Sequence, residues 1–281
     1  MRFLVVESET KEDRQARRAS VGASAGESFA ATLRELVPGC DTQLTEPADE
    51  QKQLMSAEAI GRFDAVFLGG SPLHVYEEAP EVRRQLAFMR GVFASGTPSF
   101  GSCAGLQIAA AAAGGKVRRI AGQREAGIAR RIIRAALGER HPLLEGRPPV
   151  WDAATIHGDE VSELPPEGRV LATNAAGQIN AAEIRFDRGI FWGVQYHPEL
   201  SPGEIGAALR RSAETLIEEG LARDQADVDA HAALFARLEE SPSDAGARWR
   251  LGVNDDYADE GRRRLELRNF LGRIRQLSPN S

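Results

Sequence analysis

Cys103 stands in the stretch Pro98-Ser99-Phe100-Gly101-Ser102-Cys103-Ala104-Gly105-Leu106-Gln107. A short apolar run enters Gly-x-Cys-x-Gly there, and a run of alanines leaves it. That order predicts strand, sharp turn and helix, which is the layout of a nucleophile elbow. Glycines two residues to either side of the cysteine let strand and helix crowd together. The turn lifts the thiol above the sheet edge, and the helix N-terminus favours its thiolate. A free cysteine is also commonly a small buried hydrophobe, and on this stretch alone both readings stand. A second stretch tips the balance. Phe191-Trp192-Gly193-Val194-Gln195-Tyr196-His197-Pro198-Glu199 is an apolar strand that ends in His-Pro-Glu. A nucleophilic thiol needs a general base, and the base needs an orienting carboxylate. One tight turn around a stiff proline presents His197 and Glu199 to the same cleft.

Gly101-Ser102-Cys103-Ala104-Gly105-Leu106-Gln107 and Gly193-Val194-Gln195-Tyr196-His197-Pro198-Glu199 resemble the two signatures of class I glutamine amidotransferase domains. Such domains occur in GMP synthetase, anthranilate synthase and carbamoyl phosphate synthetase. The resemblance covers residues 1–220, with both motifs in the family's order. It implies Cys103 as nucleophile, His197 as base and Glu199 as its orienter. It further implies oxyanion donors in the backbone around Gly70 and in the Ala104 N–H. Gln107, one helical turn beyond the nucleophile, takes the family's place for a contact to the substrate glutamine. Gly122-Gln123-Arg124-Glu125-Ala126-Gly127 and Ile156-His157-Gly158-Asp159 resemble segments of the GMP synthetase branch. By that resemblance the His157-Gly158 loop holds the substrate's amino-acid end. His157 is the weaker base candidate, because the sequence shows it no carboxylate partner comparable to Glu199.

The elements that must carry these residues can be read in order. Phe3-Leu4-Val5-Val6 and Ala65-Val66-Phe67-Leu68 are all-apolar runs of the kind that fill buried parallel strands. Ser24 to Glu27 and Ser201 to Glu204 are capping boxes that open helices. The first helix carries Phe29, Leu33 and Leu36 on one face and stops at Pro38-Gly39. The other runs to Glu219 and stops at Gly220. Pro80 opens a helix whose apolar face is Val82, Leu86, Met89 and Phe93. The Ala-rich helix after Cys103 ends at Gly114-Gly115. Ala181 to Val194 forms a hairpin turned at Asp187-Arg188-Gly189, and its second strand delivers His197. Lys11, Arg14, Arg17 and Arg18 lie in a mixed-charge segment that reads as a solvated loop or helix face, with an anion-recognising lid as the alternative. Leu73-His74-Val75-Tyr76 has no assignment.

The expected fold is α/β: a flavodoxin-like, open, mostly parallel sheet flanked by helices. Residues 221–281 form a helical C-terminal extension, with Leu234, Phe235 and Leu238 on one helix. Leu267, Phe270, Leu271, Ile274 and Leu277 lie on a last amphipathic one. That extension is near the smallest size that folds alone, so it is expected to pack on the main domain or on a partner. The 281 residues are 42% hydrophobic with a net charge of -6, which argues against nonspecific nucleic-acid binding. Two cysteines cannot build a disulfide framework, and the expected compartment is the cytoplasm. The N-terminal apolar run is too short for a signal peptide, and no stretch has the length of a membrane span. No metal-ligand spacing and no phosphate-binding loop appear, so no metal and no cofactor are expected.

Ala104 is smaller than the residue usual there in the GMP synthetase branch, which suggests a roomier pocket beside the thiol. The tail is too short for an ATP-pyrophosphatase domain. The leading expectation is therefore a cysteine hydrolase of glutamine or a related γ-glutamyl amide that works through a thioester. The alternatives are the ammonia-supplying subunit of a two-chain amidotransferase with a synthetase partner, or a non-catalytic binding module. No residue of the Cys-His-Glu set is lost, which weighs against the module. A serine-type α/β-hydrolase fails at the elbow, where the nucleophile position is Cys.

Overall fold

The structure, a computed structural model, describes residues 1–278 of the chain. The apolar runs become parallel strands: β1 (Arg2–Val6), β2 (Asp41–Thr45), β3 (Ala65–Leu68) and β4 (Ser99–Ser102). Between them lie α1 (Lys11–Val21), α2 (Ala25–Leu36), α3 (Ala57–Ile60) and α4 (Pro80–Ser95), and α5 (Ala104–Ala112) follows β4. The middle of the chain is β-rich: β5 (Lys116–Arg119), β6 (Glu125–Arg134), β7 (Val150–His157), β8 (Asp159–Glu163) and β9 (Gly168–Thr173). The hairpin of β10 (Ile179–Phe186) and β11 (Gly189–Val194) turns at Asp187-Arg188, with Asp187 at φ 51°. Seven helices close the described chain: α6 (Pro202–Arg211), α7 (Ala213–Glu218), α8 (Gln225–Glu240), α9 (Ala245–Leu251), α10 (Asp255–Ala258), α11 (Glu260–Arg263) and α12 (Leu265–Leu277).

Among the described residues the main sheet has nine strands in the order β2-β1-β3-β4-β11-β10-β9-β6-β7, and β5 pairs separately with β8. β2, β1, β3, β4 and β11 run parallel, and from β11 onward each neighbour is antiparallel. The fold is thus α/β and flavodoxin-like in the half that carries the elbow. In β1 the side chains alternate between two cores. Phe3 and Val5 face α2 and α12, with Phe29, Phe67, Phe100 and Trp192. Leu4 and Val6 face α4 and α5, with Val66, Leu68, Phe88 and Met89. The aromatic centre of the first core comes partly from the chain's end. The Phe270 ring lies 5.5 Å from Phe67, 5.6 Å from Phe100 and 5.8 Å from Trp192.

Local sequence accounts for most of the helix starts. Ser24 and Ser201 each cap N3 while Glu27 and Glu204 reach back, and Pro80 takes the first position of α4. Two expectations needed revision. The charged segment after β1 is a helix, α1, closed by its own Thr10–Asp13 capping box, and it is more than a solvated face. Arg14 is buried and bonds the Glu9 carbonyl and both oxygens of Asp49. The helix expected to reach Glu219 is divided at Ser212, whose N–H still bonds back to Ala208 and Leu209.

Candidate active site

Helix α5 can start at the C-terminal end of β4 only because the backbones approach closely. A Cβ on Gly105 would lie 2.6 Å from the Leu68 carbonyl oxygen, and one on Gly101 would lie 2.9 Å from the Gly105 carbonyl carbon. Between these glycines Cys103 adopts φ 52° and ψ -111°, a conformation that non-glycine residues hold only under strain. Its N–H bonds the Val194 carbonyl at 2.8 Å, which ties the turn to β11. The Cys103 thiol is 5% exposed and lies 3.9 Å from the Ile156 carbonyl oxygen. The N–H groups of Ala104 and Gly105 belong to the first turn of α5, where no intrahelical acceptor exists.

β11 runs beside β4 with Val194 opposite Ser102, so both motifs leave the same sheet edge. His197 is 4% exposed and its N–H bonds the Ala154 carbonyl. Its Nδ1–H donates to Glu199 Oε1 at 2.8 Å, and Cys103 is near enough to act on the charge of the ring. Burial opposes the imidazolium, but the Glu199 carboxylate and Cys103 outweigh it, and the His197 pKa is raised to about 10. The ring is therefore cationic near neutral pH. Gly70 lies against that ring: a Cβ there would come within 2.9 Å of His197 Cε1.

The other expected residues gather around this centre. Gln107 is buried, and its Nε2 donates to the Asp159 carbonyl at 3.0 Å and to Gln195 Oε1 at 3.3 Å. In this state the side chain braces the β7–β8 turn. Gly158 lies in that turn, beside the Arg124 guanidinium. His157 is buried with Nδ1 2.9 Å from the Asp159 carbonyl oxygen. Its Nε2 lies 3.0 Å from Glu125 Oε2, so His157 does have a carboxylate partner, contrary to expectation. The partner sits across the β6–β7 pairing, where Glu125 faces His157. The space beside Ala104 is filled as well. It holds Leu73 and Val75 and leaves a void of about 10 Å³, also lined by Ser71, Val82, Gln85 and Ile108.

Sequence reasoning missed Ser102. Its Oγ–H donates to Glu199 Oε1 at 2.7 Å, so one carboxylate oxygen accepts from both Ser102 and His197. The serine's place inside the Gly-x-Cys motif was the available signal. It also missed how the chain's end holds this edge. Tyr196 OH donates to Glu266 Oε1 at 2.7 Å, and Arg263 Nε donates to the Leu200 carbonyl at 3.1 Å. The two bonds bracket His197 and Glu199 from either side.

The structure thus brings an elbow cysteine, a histidine and a carboxylate to one edge of the sheet in an α/β fold. The chain belongs to the class I glutamine amidotransferase family, whose pattern it matches over residues 21–213. A γ-glutamyl-L-1-hydroxyisopropylamide hydrolase from a Pseudomonas species is 37% identical over 223 residues, 78% of this chain and 75% of that protein. The glutamine-hydrolyzing GMP synthase of Leifsonia xyli is 37% identical over 153 residues, 54% of this chain but 29% of that protein. The crystal structure of a Thermotoga maritima glutamine amidotransferase shares the fold, with a TM-score of 0.64 over 98% of this chain and 97% of that chain, at 15% identity.

Proposed function

We propose that the chain is a cysteine hydrolase that cleaves the γ-glutamyl amide bond of glutamine or of a related γ-glutamyl amide. The observation that carries this reading is the elbow Cys103 beside the buried His197–Glu199 pair. The Cys103 thiolate attacks the side-chain carbonyl carbon, and the electron pair moves onto its oxygen. The N–H groups of Gly70 and Ala104 hold that oxyanion. The C–N bond breaks as His197 passes its proton to the departing amine. Neutral His197 then takes a proton from water, and the hydroxide attacks the thioester. Glutamate leaves, the proton stays on His197, and the thiolate is restored. Glu199 fixes the ring through Nδ1, and Ser102 fixes Glu199.

Two relatives point to different substrates. The Pseudomonas hydrolase, whose name is that of a substituted γ-glutamyl amide, aligns over most of both chains. That favours a free-standing hydrolase that accepts an amine larger than ammonia. The GMP synthase likeness is confined to a part of each protein and supports the second reading, an ammonia-supplying glutaminase subunit. The lone purified chain should turn over N-substituted γ-glutamyl amides at least as fast as glutamine. If both substrates were inert until a synthetase chain was added, the second reading would hold.

A further inference from the structure

Cys103 and His197 are 5% and 4% exposed, so access to the sulfur depends on the segments packed around it. One segment is attached in a way that permits movement. Residues 71–79 run from the Gly69-Gly70 turn to the start of α4, and among them only Val75 is buried. Val75 pegs into the apolar hole beside Ala104 and Ile108. Half-buried Leu73 lines the same hole, and a further, polar attachment reaches 85 residues along the chain. His74 Nδ1 lies 2.6 Å from Asp159 Oδ2, and Tyr76 OH donates to Asp159 Oδ1 at 3.3 Å. The two rings stack with centroids 5.4 Å apart. Asp159 is itself held from below, since its carbonyl accepts from Gln107 Nε2 and from His157 Nδ1. One carboxylate thus anchors a nearly unburied segment to the turn that faces Cys103. The His74 side chain is 48% exposed and that of Asp159 is 9% exposed, so the latch closes at the protein surface.

We propose that residues 71–79 are a strap over the thiol, and that His74 and Tyr76 are positioning residues that latch it to Asp159 and control access to Cys103. The strap follows Gly70, which lies against the His197 ring. The consequence for turnover rests on the hydrolase reading, whereas the consequence for access does not. A loose strap exposes the thiol and holds a γ-glutamyl substrate less well. It leaves the Cys103–His197–Glu199 geometry alone.

The test measures alkylation of Cys103 by iodoacetamide in the full chain, by peptide mapping, with Cys40 as internal reference. His74→Ala combined with Tyr76→Phe should raise the Cys103 rate about tenfold, what a lost charge-assisted hydrogen bond is worth, with Cys40 unchanged. His74→Lys keeps a hydrogen-bond donor for Asp159 and should return the rate to within about twofold of wild type, because the carboxylate keeps its partner. In hydrolysis of a γ-glutamyl amide the double variant should raise KM while kcat stays close to wild type. Equal Cys103 alkylation in wild type and double variant would overturn the strap. So would a His74→Lys rate that stays as high as that of the double variant. A thiol rate that responds as expected in a chain without hydrolysis would keep the strap and sink the hydrolase reading.

Discussion

Two of the most deeply buried ion pairs among the described residues are built from different cations. At the sheet edge His197 faces Glu199 at 2.8 Å, with side chains 5% and 4% exposed. On the far side of Tyr196, Arg147 meets Glu266 through two bonds of 2.6 and 2.7 Å, with side chains 1% and 0% exposed. Both carboxylates also accept from a hydroxyl, Ser102 in one case and Tyr196 in the other. The difference lies in what the cation can do. A guanidinium keeps its proton, and here the Glu266 carboxylate overcomes the cost of burial to raise the Arg147 pKa further. An imidazolium can lose its proton as pH rises through about 10, so the His197 pair can change its charge state. Glu266 of the permanent pair also accepts from Tyr196 OH, which ties α12 to the turn that carries the switching pair. One region is thus a fixture for the other, and perturbing each should give a different kind of failure.

The sharpest contrast is in activity. Cys103→Ser or His197→Ala should lower hydrolysis by at least about four orders of magnitude, and the double variant should be hardly worse, because residues of one catalytic unit fail together. Steady-state kinetics on a γ-glutamyl amide reads this, and wild-type turnover by Cys103→Ala would refute the mechanism. The fixture fails in stability instead. Arg147→Leu leaves Glu266 buried without its cation and should cost about 3–5 kcal/mol, measured by urea unfolding. Replacing both Arg147 and Glu266 by Leu should recover most of that loss. If the single and double variants were equally unstable, the pair would not be the cause.

Titration separates the regions next. His197 has a folded pKa of about 10, above its ordinary value of about 6.5. Its contribution to stability is therefore fully present below pH ~6.5 and is lost as pH rises through about 10. The stability gap between wild type and His197→Gln should narrow across that window. The gap between wild type and Arg147→Leu should stay flat, since the guanidinium does not titrate there. A flat gap for His197 as well would erase the distinction drawn between the pairs. The mildest effect belongs to Ser102→Ala, which leaves Glu199 one donor short. It should lower kcat about tenfold, the worth of one hydrogen bond to a charged group, with unchanged pH dependence.

Short-range chemistry in this chain was legible, and long-range pairing was not. The elbow, the His-Pro-Glu turn and the capping boxes at Ser24 and Ser201 each lie within a few residues, so their geometry follows from spacing. Arg14 read as a solvated charge because its partner Asp49 is 35 residues away. Glu125 was invisible as the partner of His157, being 32 residues off on a strand whose register no local rule sets. Glu266 lies 119 residues from Arg147, and only the packing of Phe270 against Phe67 and Phe100 brings it there. The small Ala104 was noticed, but not which side chains lie beside it. Nothing local shows that Val75 returns to fill the space. His74 stayed without a role for the same reason, since Asp159 is 85 residues away.

The central claim is that Cys103 carries the γ-glutamyl group while His197 moves the proton. Acid quenching of the chain during turnover of a γ-glutamyl amide, followed by peptide mass mapping, reads that claim directly. Glu199→Gln, which loosens the imidazole needed to activate water, should make the intermediate accumulate. The expected result is a γ-glutamyl thioester on the peptide containing Cys103, absent from Cys40 and lost in Cys103→Ala together with turnover. Hydrolysis that persists in Cys103→Ala, or an adduct found on any other residue, would contradict the account.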